Sequence, residues 1–446
     1  MAEGDTIYAF STAPGRAAIA VLRLSGPAAP AAIRALGGKL PKPRLAAVLN
    51  FADPASGEAI DRGIALYFPA PASHTGEDMA ELHLHGGRAV AAAILEALGK
   101  MPGLRLAEPG EFTRRAFLNG KLDLTEAEGV ADLIAAETAA QRRQALRQAS
   151  GAAAKIYEDW RHRLLKAQAR LEAEIDFPEE GLPEDLRRQA TDDIARLAAE
   201  IAASLEDNRG GEVLRSGFEV AILGPPNAGK SSLMNALARR EVAITAAGAG
   251  TTRDVIEVAL DLGGYPVVLA DTAGLRESSN EVEEEGVRRA RERAAHADLK
   301  LVVLDATRPG EAQALAPLIG SGTLVAANKM DLQPKDDAAW ADKLGAGPAV
   351  RISVKTGAGL RELEARLRDM VAARFSSAAA PLITRARHRQ ALEECAAALA
   401  RFPGIAAPEL AAEELRRAVR ALGRITGRVE VEDLLDVLFR EFCIGK

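Results

Sequence analysis

The rhythm of apolar and polar positions changes three times along the chain, and each change marks a boundary. In residues 1–121, short apolar runs of β character ("AIAVLRL", "GIALYF", "MAELHLH") alternate with Gly/Pro turns beside one alanine-rich helix, "RAVAAAILEALG". That mixture predicts an α+β domain. From Thr125 the pattern becomes helical, with Thr125 and Glu128 at capping-box spacing ahead of a long alanine-rich, charged stretch. Pro178, Gly181 and Pro183 in "FPEEGLP" end it, and a second helix is expected from Glu184 towards "NRGGE". At "FEVAILG" (218–224) strands and helices begin to alternate. The buried-strand candidates "EVAILG", "PVVLADT", "KLVVLDA", "TLVAANK" and "AVRISV" predict a doubly wound, mostly parallel sheet. After about residue 375 three more helical segments follow, ending in "VEDLLDVLFREF". The expected organisation is an α+β domain at 1–121, a helical part at 122–215, an inserted α/β domain at 216–375 and a second helical part at 376–446. The two helical parts are expected to form one bundle.

Composition narrows the functional classes. The 446 residues are 48% hydrophobic and 27% charged, ordinary for a globular chain. The net charge of −6 argues against a generic nucleic-acid binder held by bulk charge. Two cysteines, Cys395 and Cys443, exclude a disulfide framework and suit a reducing compartment. There is no signal-peptide pattern and no apolar run long enough to span a bilayer, so a cytoplasmic protein without a membrane partner is expected.

The chemistry-bearing motifs cluster in the α/β part. "GPPNAGKS" (224–231) follows a strand and opens a helix, the context that a phosphate loop needs. Its glycines let backbone N–H groups turn inward around phosphate oxygens, and the helix N-terminus adds positive potential. Asn227, Ala228, Gly229, Lys230, Ser231 and Ser232 are expected at the phosphates, with Lys230 on the β- and γ-phosphates and Ser231 on Mg²⁺. "GTTRD" (250–254) offers Thr252 as a switch residue reaching the same Mg²⁺. "DTAG" (271–274) ends an apolar strand, so Asp271, Thr272, Ala273 and Gly274 are expected at the Mg²⁺ shell and γ-phosphate. "NKMD" (328–331) supplies Asn328, Lys329 and Asp331, and "SVK" supplies Ser353, Val354 and Lys355 to close a base pocket. Two acceptor oxygens on Asp331 suit the N1–H and N2 amine of guanine, which adenine lacks. The four motifs in this order predict a GTPase.

Leu275 follows "DTAG" where Ras-like GTPases carry a water-orienting glutamine, and no arginine finger is evident. Another device must place the water and neutralise charge. Asn227 and the carbonyls of the small residues in "AITAAGAG" (Ala246, Ala247, Gly248, Ala249 and Gly250 among them) can wrap a monovalent cation; a plain flexible switch loop reads equally from the residues. In "EVEEEG" any of Glu281, Glu283, Glu284 and Glu285 can orient water, or the run is a solvated helix start.

Taken with "DTIYAFSTAPGRAAIAVLRLSG", "TGEDMAELHLHGG", "PGEFTRRAFLNGKLDLTEAE" and the terminal "CIGK", these motifs resemble the MnmE (TrmE) family of tRNA-modification GTPases over essentially the whole chain. The resemblance implies K⁺-dependent hydrolysis in a homodimer, with Asn227, Ala246, Gly248 and Thr251 matching the K⁺ ligands. Glu283 matches the water-orienting glutamate, with Lys230 beside it in catalysis. Arg23, Glu81, Lys121 and Lys446 match contacts to a reduced folate, 5-formyl- or 5,10-methylene-tetrahydrofolate. It further implies an FAD-bearing flavoprotein partner, MnmG (GidA), in a heterotetramer. With tRNA this assembly adds an aminomethyl or carboxymethylaminomethyl group to C5 of the wobble uridine. His74 departs from the family, which more usually has Phe or Tyr there, and residues 244–250 are unusually rich in alanine and glycine.

Other features read two ways. Glu81, His83 and His85 share one strand face and can line a polar pocket or hold Zn²⁺. His162, His296 and His388 are expected on solvated helices. The basic runs "RHRLLKAQAR", "TRARHRQ" and "RRAVRALGRITGR" form either a local tRNA footprint or ordinary charged helix faces. The tail "FCIGK" is no prenylation box. It is expected beside the N-terminal pocket, with Cys443 close to the chemistry or merely packed. A regulatory GTPase switch in ribosome assembly is the competing functional class; it has no need of the folate-type blocks or of "CIGK".

Overall fold

The computed structural model describes residues 4–176, 184–207, 209–240, 243–244, 257–271, 297–320, 322–332, 339–375, 381–405, 407–429, 435, 438–440, 442 and 445. The chain forms two compact units. One comprises residues 1–131, 148–168 and 416–446, the other residues 132–147 and 169–415.

The first unit opens with β1 (Thr6–Phe10), β2 (Ala17–Ser25), α1 (Ala29–Gly37), β3 (Ala47–Ala52), β4 (Ala59–Phe68), β5 (Met79–Gly86), α2 (Arg88–Gly99), β6 (Leu104–Leu106) and α3 (Glu111–Leu118). The six strands form one sheet in the order β3-β4-β5-β2-β1-β6, antiparallel except for the parallel β1–β6 pair. Alternation sends Leu22, Leu24, Leu49, Phe51, Ala65, Leu82 and Leu84 into a core with α1 and α2, which supply Ile33, Leu36, Ile94 and Leu98. Val21, Arg23, Val48, Ile64, Glu81 and His83 take the alternate positions, in register across the sheet. β1, β3 and β6 lie outside the sequence expectation. They are short, and only their neighbours reveal which face is buried.

An ion cluster ties α3 to β1 and to the loop before β5. The Arg115 guanidinium, 9% exposed, donates to Asp5 (2.7 Å), Glu77 (3.1 Å) and Glu111 (3.1 Å), and Arg105 joins Asp5 and Glu111. Burial alone would raise the pKa of Asp5 and Glu111, but hydrogen bonds from Arg105 and Arg115 outweigh it and hold both carboxyls below their ordinary range.

Helices follow: α4 (Leu124–Ala135), α5 (Ala139–Ala149), α6 (Ala152–Asp176), α7 (Glu184–Leu205) and α8 (Gly210–Ser216). The capping box lies two residues earlier than the sequence spacing suggested. Asp123 Oδ1 accepts from Glu126 N (2.8 Å), and Asp123 N donates to Glu126 Oε2 (2.9 Å), so the box is Asp123/Glu126. Thr125 and Glu128 are instead fully buried.

The second unit is built on β7 (Phe218–Leu223), α9 (Lys230–Arg240), β8 (Ala243–Ile244), β9 (Glu257–Leu262), β10 (Tyr265–Asp271), β11 (Leu299–Asp305), β12 (Thr323–Asn328), β13 (Val350–Arg351) and α10 (Leu360–Phe375). The sheet order is β13-β12-β11-β7-β10-β9-β8. The expected parallel core from β13 to β10 is present, and antiparallel β9 and β8 extend one edge. Val220, Ile222, Val267, Leu269, Leu301, Val303 and Leu324 pack with Leu233, Leu237, Leu363 and Leu367. The chain ends in α11 (Ala386–Arg401) and α12 (Pro408–Thr426). Beyond α12, Leu435, Leu438, Phe439 and Phe442 cluster with Leu124 and Ala127.

Candidate functional site

The phosphate loop has the conformation its sequence predicts. β7 is almost wholly buried and delivers Gly224 at its carboxyl end. A Cβ on Gly224 would lie 2.2 Å from the Val303 carbonyl, and one on Gly229 would lie 2.4 Å from Asn328 Nδ2, so both positions need glycine. Asn227 (φ 64°) and Gly229 (φ 98°) take left-handed backbone, which turns successive amides to one side of the loop. α9 then starts at Lys230, adding its N-terminal dipole. Lys230 is 6% exposed, and its ammonium donates to the carbonyls of Gly224 and Pro225, each at 2.8 Å. Ala228 is buried, while Asn227, Ser231 and Ser232 are exposed.

The base-recognition residues meet this loop. Asn328, 3% exposed at the end of β12, donates from Nδ2 to the Ala228 carbonyl (2.8 Å) and accepts from Val354 N at Oδ1 (3.1 Å). One amide thus clamps the phosphate loop, the "NKMD" turn and the "SVK" loop. Ser353 Oγ donates to Asp331 Oδ1 at 2.7 Å, orienting the carboxylate and leaving acceptor capacity for a two-donor base edge. Lys355 is exposed. A contact that the sequence reading missed is Lys329 Nζ to Asp305 Oδ2 at 2.6 Å.

Asp271 closes β10 opposite Ile222. Thr272, Ala273, Gly274, Glu281, Glu283, Glu284 and Glu285 lie outside the described residues, as do Ala246, Ala247, Gly248, Ala249, Gly250, Thr251 and Thr252.

In the first unit, Arg23 and Glu81 are cross-strand partners on the sheet face opposite the core, joined at 2.8 Å and each about a fifth exposed. His83 Nε2 lies 3.7 Å from the same carboxylate. His74, in the loop before β5, is exposed and lies close enough to Arg23 and Glu81 to feel both charges. Burial first, and then the Arg23 charge, push its pKa down against the pull of Glu81, so the ring is neutral at pH 7. Its loop is fixed by Ser25, Thr75 and Glu77, by Asn119 Nδ2 on the Thr75 carbonyl (2.7 Å) and by Lys121 Nζ on the Pro71 carbonyl (3.0 Å). His85 pairs with Asp61 at 2.8 Å, apart from Glu81 and His83. No cluster of metal-ligating side chains occurs among the described residues.

Cys443 and Lys446 lie outside the described residues, but Gly445 between them sits against β1. Ser11 Oγ donates to its carbonyl (2.9 Å), and a Cβ there would lie 2.1 Å from the Phe10 carbonyl. Two expectations are corrected. His388 is 1% exposed rather than solvated. In "TRARHRQ", Arg385 pairs with Asp132, and Arg389 with Asp207 and Glu212, so this basic run is largely structural. Cys395 is buried, and burial pushes its thiol up to about 12, so it is an inert packing group. His162 is exposed as expected, and His296 is outside the described residues. No described helix is long and apolar enough to cross a membrane.

Residues 6–121 match the family model described as GTP-binding protein TrmE N-terminus, and residues 124–443 match the MnmE helical domain model. The tRNA modification GTPase MnmE of Parvibaculum lavamentivorans is 58% identical over 99% of this chain and all of the relative. That of Paramagnetospirillum magneticum is 56% identical over the same shares. Among solved structures, the G domain of the T. maritima FeoB iron transporter is 27% identical over 35% of this chain and 97% of that one, with a TM-score of 0.27. With a family model spanning residues 124–443 and relatives matched from end to end, the chain belongs to the MnmE (TrmE) family of tRNA-modification GTPases.

Proposed function

We propose that this GTPase works as a K⁺-dependent homodimer which, with an FAD-bearing MnmG-type flavoprotein and a reduced folate, adds an aminomethyl or carboxymethylaminomethyl group to C5 of the wobble uridine. The observation that carries the folate part is the Arg23–Glu81 pair with His74 beside it. It is a charged, partly buried ion pair on a sheet face that a purely regulatory GTPase does not need. A pterin ring offers donors for Glu81, and a folate carboxylate or carbonyl offers acceptors for Arg23 and Lys121. Lys446 is assigned to the same ligand because Gly445 abuts Phe10, two residues before Thr12, whose hydroxyl accepts from Val21 N on β2. Cys443 is assigned a thiol role there.

Homodimer formation through this face is supported by its apolar row. Val48 and Ile64 are cross-strand partners, 58% and 38% exposed, and Val21 and His83 continue the row.

For hydrolysis, Lys230 binds phosphate and Glu283 orients water. Ser231 and Thr252 would hold Mg²⁺, with Asp271 near its shell. Asn227, Ala246, Gly248 and Thr251 would hold K⁺. The amide-lined turn at Asn227–Gly229 fits a nucleotide whose charge such ions neutralise. Bound cations supply that charge compensation, and the protein's part is to position phosphate and water. Calorimetric titration with 5-formyltetrahydrofolate tests the folate assignment. Binding is expected in the native protein and lost in Arg23→Ala; no heat in the native protein would overturn the reading. Equal GTP turnover in KCl and NaCl of matched ionic strength would overturn the K⁺ assignment.

A further inference from the structure

The nucleotide-contacting motifs account for Asn328, Asp331 and the phosphate loop but leave Asp305 without a role. It is the last residue of β11 and the direct cross-strand partner of Asn328. Its side chain is 5% exposed. A carboxylate this deeply buried is retained at a cost unless its charge is used. Both oxygens are engaged. Oδ1 accepts from Thr307 N (2.9 Å) and Thr307 Oγ1 (2.7 Å), which close the turn after the strand. Oδ2 accepts from Lys329 Nζ at 2.6 Å.

Lys329 itself has left-handed backbone, φ 66°, a conformation that a lysine does not adopt unless held. It stands between Asn328 and Asp331, and its side chain is 32% exposed. With its ammonium bonded to Asp305, the Lys329 side chain is held at both ends, by its backbone and by this contact. A pinned aliphatic stem is a flat apolar wall against which one face of a purine can pack.

We infer that Asp305 is a positioning residue for guanine nucleotides: by anchoring the Lys329 ammonium it fixes the lysine stem as a wall of the base pocket and makes the strained Lys329 backbone tenable. The inference rests on the proposed assignment of Asp331 and Asn328 to guanine. The charge needed for the anchor is available at neutral pH. Burial raises the Asp305 pKa, but the hydrogen bonds from Lys329 and Thr307 outweigh it and keep the group ionised.

The test is GDP affinity and steady-state GTP hydrolysis in the full-length protein. Asp305→Asn keeps an acceptor for Thr307 and removes the charge that holds Lys329. It is expected to weaken GDP and raise KM for GTP about tenfold, as loss of one charge-assisted hydrogen bond implies, while kcat at saturating GTP stays within twofold. Lys329→Ala is expected to match it, and the double variant to be no weaker than Lys329→Ala alone, because the two residues act as one device. Native affinity in Asp305→Asn would overturn the inference. So would an Asp305→Asn effect that persists in full on the Lys329→Ala background, since Asp305 would then act through the Thr307 turn. Asp331→Asn in the same assay separates the two layers. If it leaves GDP affinity unchanged, the guanine assignment itself fails; if it weakens GDP while Asp305→Asn does not, the Asp305 inference alone fails.

Discussion

Replacing Asn328 by alanine is the sharpest test of how the nucleotide site is held together. The side chain is 3% exposed, and its two bonds go to backbone groups on two other loops, the Ala228 carbonyl at 2.8 Å and Val354 N at 3.1 Å. Truncation removes both and leaves Ala228, itself fully buried, with an unpaired carbonyl. An orphaned buried backbone group costs about 1–3 kcal/mol. Val354 is only partly buried, so water recovers part of the loss on that side. The sum is about 2–4 kcal/mol, and because a bound nucleotide needs both loops in place, most of it falls on binding, about 30-fold to 10³-fold in Kd. Asn328→Asp keeps the acceptor for Val354 but faces Ala228 with a carboxylate oxygen, so it is expected to be at least as damaging. The assay is fluorescent GDP titration alongside thermal unfolding. If Asn328→Ala binds GDP within threefold of the native protein and melts at the same temperature, the clamp carries no energy and the reasoning is wrong.

Other expectations follow from single observations. Glu283→Ala is expected to lose GTP hydrolysis by roughly 10²-fold or more while retaining GTP binding, with Glu284→Ala and Glu285→Ala near native; three equal outcomes would reduce the run to an acidic helix start. Gly445→Ala drives a Cβ to 2.1 Å from the Phe10 carbonyl. It should therefore dislodge the tail, abolishing tRNA modification while leaving GTPase turnover largely intact, as should deletion of residues 443–446; normal modification in both would make the tail a passive end. Asp5 and Glu111 have folded pKa values below their unfolded ones. The stability that they contribute is complete only above about pH 5, past the unfolded value of a glutamate, and is lost as pH falls through the folded values, so Arg115→Met should flatten the acid limb of the melting curve; an unchanged limb counts against it.

Much of the second unit was legible because its signals are local. "GPPNAGKS" needs only a strand before it and a helix after it, and both are present as β7 and α9. The Asn328–Ala228 bond, 100 residues apart in sequence, was not legible, nor was Asp305. Both depend on strand order, which periodicity does not encode. In the first unit the alternation of β2, β4 and β5 was readable, but β1 and β3 were hidden by their shortness. The capping box was misplaced at Thr125 because Asp123 supplies an equally good side-chain acceptor two residues earlier, and burial of Thr125 decides between them. His388 was misjudged for a related reason: a lone polar residue in a charged run says nothing about which helix face it occupies.

The two sheets explain why the two candidate sites look so different in sequence. In the second unit β12, β11 and β7 are adjacent and parallel, so their carboxyl ends coincide, and the loops after them converge on one edge. A site built that way reads as compact motifs, each a few residues past a strand. Asp305 belongs to it because β11 is the middle strand of the three and ends between the phosphate loop and "NKMD". In the first unit the sheet is mainly antiparallel, and the Arg23–Glu81 pair lies on its face, two single residues on neighbouring strands. Their meeting depends on register alone. A slip of one position would turn Arg23 into the core and bring Leu22 or Leu24 out, so the same alternation that fills the core with leucine holds the charged pair in place. Sites of that kind leave no contiguous motif: without the family resemblance that singles out Arg23 and Glu81, the register of β2 against β5 has to be known before they can be recognised.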